Sequence, residues 1–500
     1  MARGLEPAAS AAAARSARWP GGAVVYEIYP RSFQDGDGDG IGDLPGIRSR
    51  LPDLEWLGVD AIWLAPIYAS PLADYGYDVS DHRAIAPEYG TDRDFDLLVA
   101  DAHDRGIRVV LDLVVSHTSI EHPWFRERPD FYVWADGPEP PNNWLASFGG
   151  PAWSPDPVSG RLYLHSFYPE QPDLDWRNPE VRAAMAGVVR HWVGRGVDGF
   201  RIDAVDRMVK DAGLRDDPPA EAPFPLPMPE ELRKLDLIHS RDSPEIALAL
   251  ATLREAAGDV PLIGEVYLPV ARILPYLEYL DAAFAFDLLH ADWDAEHLAA
   301  AIERSSVAGG VAWVTSNHDF PRVATRWGEE NTRAAAVLLL TLGDTAFLYQ
   351  GEELGMLDGG PADPPRDRFG RDGCRRPMQW DGSHAGGFTA GDPWLAPVDP
   401  ESRNADSEAA DEGSVLNLFR RLIELRREID GAPVRVSSPA NTLAFDRGRH
   451  RVAINLGDGP ATVALPEGAT VVLETAAGAA RAATDGVEID GHAAVVTRIG

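Results

Sequence analysis

The chain has 500 residues, 45% hydrophobic and 25% charged, with 14 Trp and a net charge of −33, enough apolar material for a large core and more than one domain. That acidity disfavours nucleic acid and anionic membranes as partners and suits a neutral substrate, a bound cation or a very soluble enzyme. A single cysteine, Cys374, excludes an internal disulfide and a thiolate metal cluster, and no apolar run reaches the roughly 20 residues that span a bilayer.

In chain order, residues 1–18 are Ala-rich without the apolar stretch of a signal peptide. They read as a disordered tail, and the cytoplasm is the expected location. Eight short apolar runs follow: VVYEIYP (24–30), AIWLAPI (61–67), IRVVLDLVVSH (107–117), GFRIDA (199–204), VPLIGEV (260–266), AAFAFDLL (282–289), VAWVTSNHD (311–319) and TAFLYQGEE (345–353). Helical patterns separate most of them, among them DFDLLVADAHDRG, PEVRAAMAGVVRHWVGRG with Gly196 as its stop, PEIALALATLREAAG and NTRAAAVLLLTLG. Eight strands with intervening helices predict a (β/α)8 TIM barrel over residues 19–117 and 176–428. Residues 118–175, rich in Trp, Pro, Asp and Gly, exceed an ordinary loop and predict an inserted subdomain after strand 3. Alternating runs such as TLAFDRG, HRVAINLG and ATVVLET predict a C-terminal antiparallel β domain over 429–500. The Pro/Asp stretch 212–230 reads as a long surface loop.

Active sites of such barrels gather at the C-terminal strand ends, and these ends carry polar residues. Ser116 and His117 end the third strand, Arg201 and Asp203 the fourth, Glu265 the fifth, and Asn317, His318 and Asp319 the seventh, while Asp78 lies in the loop after the second. A lone buried Asp is more often a cap or an ion pair; so many from separate strand ends point to one site. The spacings of clustered metal ligands such as HExxH are absent. Glycosidic bond cleavage fits better, because it needs one carboxylate as nucleophile and a second, protonated, as acid/base. Arg201 and Asp203, two apart, share a face of their strand, and an arginine beside a nucleophilic carboxylate keeps it ionised.

Four segments, DLVVSHTS (112–119), GFRIDAV (199–205), IGEV (263–266) and SNHD (316–319), resemble the ordered signature regions of the alpha-amylase superfamily, glycoside hydrolase family 13. DYGYDVSDH (74–82), QPDLDW (171–176) and RRPMQWDG (375–382) are similar to its alpha-glucosidase and oligo-1,6-glucosidase branch. The resemblance runs from about residue 20 to the end. It implies Asp203 as nucleophile, Glu265 as acid/base and Asp319 as a third carboxylate gripping sugar hydroxyls. It also implies that Asp78, His117, Arg201 and His318 hold the nonreducing-end glucose of a small neutral alpha-glucoside, and that anomeric configuration is retained.

DGDGDGIGD (35–43) sets Asp35, Asp37, Asp39 and Asp43 within nine residues, a crowding of charge that a cation would relieve. Position 12 of an EF-hand would be Gly46, so this is not an EF-hand. The resemblance implies a structural Ca²⁺ here, with the Ile41 carbonyl as a further ligand; Mg²⁺ would suit the same oxygens. Ser116 stands where the family commonly has Asn, so a second calcium site is not expected. Ala204 matches neither the Val nor the Thr that tracks linkage preference in the family, and leaves linkage open. Trp124, Trp144 and Trp153 could stack on sugar but read more often as core, Tyr75 and Tyr77 could do either, and Arg403 could bond Asp78 or a sugar hydroxyl. The expected activity is a retaining, exo-acting alpha-glucosidase. The alternatives are a transglycosylase or isomerase on the same scaffold, forming trehalose or a sucrose isomer, and a non-catalytic transporter-associated homologue. Such homologues carry a membrane span and lack catalytic carboxylates, unlike this chain.

Overall fold

A computed structural model describes residues 19–306, 309–484 and 486–500; the tail expected over 1–18 lies outside the described residues. All eight expected strands form: β1 (Val24–Ile28), β2 (Ala61–Leu64), β3 (Arg108–Leu113), β4 (Gly199–Ile202), β5 (Leu262–Gly264), β6 (Ala282–Ala285), β7 (Val311–Val314) and β8 (Thr345–Tyr349). They close in chain order into a barrel. Nearly every strand residue is buried, as in a parallel sheet covered on both faces, which explains the continuous apolar runs.

By internal contacts the chain divides into two compact units, Met1–Ile62 with Ala100–Arg108 and Ala285–Gly500, and Trp63–Val99 with Val109–Phe284. In the first, β1 and β7 both run parallel to β8, pairing Val25 with Phe347 and Trp313 with Ala346. In the second, β4 lies between β3 and β5, with Arg201 opposite Asp112 on one side and Ile263 on the other. That register decides the site, because it sets a carboxylate directly beside the guanidinium.

Each strand is shorter than the apolar run that predicted it. The sixth run stops as a strand at Ala285, and Phe286–Leu289 forms one helical turn. In the third run, pairing ends at Leu113 opposite Ile202, so residues 114–117 emerge beyond the ladder. The helix Pro179–Val193 is capped at its start by the Asn178 side chain and ends at Gly194. Gly196, expected as the stop, instead takes the left-handed turn into β4 with φ 88°.

Within the insert, Trp134–Ala135, Leu162–Leu164 and Trp153–Pro155 form a three-stranded antiparallel sheet with Leu162–Leu164 central. Its core joins Trp144 and Trp153 to Ala135, Ala152, Leu162 and Leu164. These two Trp are therefore core and present no ring for sugar stacking. Trp124 packs on His122 and Phe131. The C-terminal region holds a five-stranded sheet, in order Val434–Ser437, Thr442–Arg447, His450–Asn455, Ala494–Arg498 and Thr470–Glu474, and a separate three-stranded sheet.

Candidate active site

In the second unit the site is organised around Arg201. Its NH1 donates to both oxygens of Asp112, at 2.8 and 3.0 Å, and to Asp203 Oδ1 at 2.8 Å. Its NH2 reaches Glu265 Oε2 at 2.7 Å. The Tyr77 hydroxyl donates to Asp112 Oδ2 at 2.9 Å, and the guanidinium lies 5.1 Å from the Trp63 ring. Burial pulls the guanidinium's pKa down, but Asp112, Glu265, Tyr77 and Asp203 more than offset it, so the pKa stands well above its ordinary value. One rigid fork thus holds Asp203 and Glu265, which keeps the bonded oxygens within about 8 Å of each other.

Exposure rises outward through this cluster. The Arg201 side chain is 2% accessible, Asp203 9% and Glu265 20%, so solvent access grows from the cation to the carboxylates. Directly after Asp203, Ala204 takes a left-handed backbone, φ 43° and ψ 49°, and its N–H donates to Glu265 Oε2 at 3.0 Å. The turn therefore delivers a second donor to the oxygen that Arg201 already holds.

His117 is buried, and burial pushes its pKa down. Its Nε2 lies 3.0 Å from the Tyr77 carbonyl and 3.1 Å from the Gln171 side-chain amide, and its Nδ1 lies 2.8 Å from the Ser116 hydroxyl. Ser116 thus serves the ring beside it. Asp78 is wholly buried and bound by its own loop: it accepts from the Ser70 hydroxyl at 2.8 Å and from the Asp74 and Ala73 amides at 2.9 Å. Burial raises its pKa despite those donors.

In the first unit, Asp319 Oδ1 accepts from Arg371 NH1 at 2.9 Å and Arg375 NH2 at 3.0 Å, and its Oδ2 lies 3.4 Å from His318 Nε2. The Asn317 side chain accepts from the Asp319 and Phe320 amides, shaping the turn beyond β7. Arg371 also forks onto Asp367 at 3.0 and 2.6 Å. Burial opposes ionisation of Asp367, yet Arg371 holds its carboxyl below the usual range. Cys374 is buried, its Sγ facing the His318 and Arg371 carbonyls, and burial pushes its thiol up to about 12, as suits an inert residue.

Sequence reasoning missed Asp112, Glu27, Arg371 and Arg375. For the first two a signal existed: each is a lone acid inside an apolar strand run, where an unpaired charge is costly. The arginines lie in an irregular loop whose path no periodicity reveals. Arg403 pairs with Glu329 at 2.6 Å.

In the acidic loop, carboxylate oxygens of Asp35, Asp37 and Asp39 lie within 4.8 Å of one another. Burial works against ionisation of Asp35, but Thr389, Gly38, Gly40 and Asp37 donors hold its carboxyl low. Asp43, expected as a fourth carboxylate ligand, lies near enough for the Asp37 and Asp35 charges to act on it. Its side chain caps the helix Leu44–Ser49 at Gly46 N, 2.6 Å, and accepts from Gly36 N at 3.1 Å. Burial pushes its pKa up to about 6.

Residues 27–431 match the family model for the alpha amylase catalytic domain, and 430–496 a domain of unknown function (DUF3459). A probable alpha-glucosidase of Rhizobium meliloti (strain 1021) is 39% identical, over 90% of this chain and 91% of its own. An oligo-1,6-glucosidase of Halalkalibacterium halodurans is 36% identical, over 83% of this chain and 84% of its own. Among solved structures, the alpha-glucosyl transfer enzyme XgtA superposes with a TM-score of 0.89 at 36% identity, over 95% of this chain and 98% of that one.

Proposed function

The chain belongs to the alpha-amylase family and is a glycoside hydrolase, and from that premise we propose that it is a retaining, exo-acting alpha-glucosidase releasing terminal glucose from short oligosaccharides. The observation that carries this reading is the Arg201 fork, which holds Asp203 and Glu265 on one guanidinium. A separation bounded near 8 Å admits the 5–5.5 Å spacing of a retaining pair.

In the proposed reaction Asp203, held ionised by Arg201, attacks the anomeric carbon while Glu265 donates a proton to the departing glycosidic oxygen. The product is a covalent glucosyl ester on Asp203. Glu265, now a base, removes a proton from water, which displaces the ester and restores the starting configuration. Asp319, fixed by Arg371 and Arg375, grips sugar hydroxyls and favours the distorted ring. His318, Asp78, His117 and Arg201 hold the nonreducing-end glucose. The acidic loop suits a hard cation that prefers oxygen ligands, Ca²⁺ or Mg²⁺, because three carboxylates meet there. Asp35, Asp37, Asp39 and Asp43 would hold it with the Ile41 carbonyl, and its role would be structural.

Glucosyl transfer is the second reading, favoured by the likeness to an alpha-glucosyl transfer enzyme; it shares every step up to the ester and differs in the acceptor. Incubation with maltose, isomaltose, sucrose and trehalose separately, followed by product analysis, tests both. Free glucose released first as the alpha anomer supports retaining hydrolysis. New oligosaccharides or a rearranged disaccharide support transfer. Beta-glucose as first product, or no turnover of any alpha-glucoside, sinks the proposal.

A further inference from the structure

Glu27 is a charged residue in the middle of an otherwise apolar strand. It lies in β1, fully buried, paired in register with Tyr349 of β8. A buried anion is costly unless it is bound by donors, and two of the donors that Glu27 receives belong to a single residue. Its Oε1 lies 2.5 Å from the His318 ring Nδ1 and accepts from the His318 backbone N–H at 3.3 Å. A carboxylate can only accept, so this contact assigns the Nδ1 hydrogen and leaves Nε2 on the opposite side of the buried ring. Nε2 is the atom 3.4 Å from Asp319 Oδ2.

The ring is held from its other sides as well. Tyr29 lies flat against it, with centroids 5.8 Å apart and planes 12° apart. Arg375 ties the assembly together: its Nε donates to the His318 carbonyl at 2.9 Å, its NH1 to the Tyr29 hydroxyl at 3.3 Å, and its NH2 to Asp319 Oδ1 at 3.0 Å. The stack limits tilt of the imidazole and the arginine fixes the backbone that carries it. Neither tells one ring nitrogen from the other. A half-turn about the Cβ–ring bond would exchange Nδ1 for carbon facing Glu27 and swing Nε2 away from Asp319. Glu27, at 2.5 Å, is the nearer of the two carboxylates that disfavour that turn, the other being Asp319 at 3.4 Å.

We infer that Glu27 is a positioning residue: it fixes the orientation and hydrogen placement of His318, so that Nε2 is presented to the sugar hydroxyl that Asp319 also grips. The inference rests on the alpha-glucosidase reading for the sugar, but the orientation itself is a property of the free protein. An acceptor at this position matters more than its charge, so amide and methyl replacements separate the role from mere packing.

The test compares Glu27→Gln with Glu27→Ala, using kcat and KM on maltose or isomaltose and the ring ¹⁵N–¹H resonances of histidine-labelled protein, with His318 assigned by its loss in His318→Gln. The wild type should give a strongly downfield Nδ1-bound proton for His318. Glu27→Gln should keep a hydrogen-bonded Nδ1 proton and hold both kinetic constants within about threefold, since its amide oxygen still accepts. Glu27→Ala should lose that resonance and raise KM about tenfold, the worth of one misplaced buried hydrogen bond, with a smaller change in kcat. Equal losses in Glu27→Gln and Glu27→Ala would overturn the inference, as would an unchanged KM in Glu27→Ala. If Glu27→Ala does not fold, the amide variant decides: loss of the Nδ1 resonance there refutes the role. An inactive wild type that shows the downfield proton would refute the glucosidase reading and leave the orientation standing.

Discussion

Replacing Arg201 by Gln removes the cation that Asp112, Asp203 and Glu265 share while leaving all three carboxylates in place. The guanidinium side chain is 2% exposed and its contacts to them run from 2.7 to 3.0 Å, so solvent can replace little of what is lost. Two consequences follow. Breaking a buried ion pair from one side costs about 3–5 kcal/mol of stability, and the Gln variant should melt correspondingly earlier. The second consequence appears in kinetics. An adjacent arginine lowers a carboxylate's pKa by about 1–3 units, so without it Asp203, the proposed nucleophile, should ionise only at higher pH. The acidic limb of the kcat/KM profile should therefore move up by about 1–3 pH units, costing about 10- to 1,000-fold at a fixed pH on that limb. Arg201→Lys retains charge but not the fork, and should fall between. The assay is kcat/KM on maltose across pH for all three proteins, each checked for folding at every pH. A folded Arg201→Gln enzyme whose acidic limb coincides with the wild type would refute the claim that Arg201 keeps the nucleophile charged.

Asp203→Asn should lose at least about three orders of magnitude in kcat, because no ester can form; near-normal turnover would remove Asp203 from the nucleophile's role. Glu353 is buried just beyond β8, where burial pushes its carboxyl up to about 7 even though the Tyr26 hydroxyl donates to it at 2.6 Å. Its folded pKa exceeds the unfolded one, so its contribution to stability is complete below the unfolded value of 4.5 and is lost as pH rises through 7. That amounts to about 3 kcal/mol across the interval. Glu353→Gln should flatten the decline in melting temperature between pH 5 and pH 8; an identical decline in variant and wild type would contradict it. Chelation should lower the melting temperature, added Ca²⁺ should restore it, and Asp37→Asn should blunt the response. Indifference of the wild type to both treatments would remove the metal from the acidic loop.

Much of the fold was legible because its signals are local. Each barrel strand is a short apolar run buried on both faces, and each helix between them is periodic, so β1 to β8 could be read one at a time. Asp203, Glu265 and Asp319 were legible for a related reason: each stands just past the end of such a run, where a parallel barrel puts its chemistry. What strand pairing alone decided is which charge meets which. Register sets Asp112 beside Arg201, 89 positions away in the chain, and the parallel pairing of β4 with β5 carries Glu265 to the same guanidinium. The grip of Arg371 and Arg375 on Asp319 depends on an irregular loop with no period to read, and the capping role of Asp43 on the direction its loop turns. Covalent sequence sets the chemical type of each side chain and the spacing along one strand; contacts across tens of residues exist only once backbone hydrogen bonds choose a register, and one step of slip would point every such side chain at the opposite face.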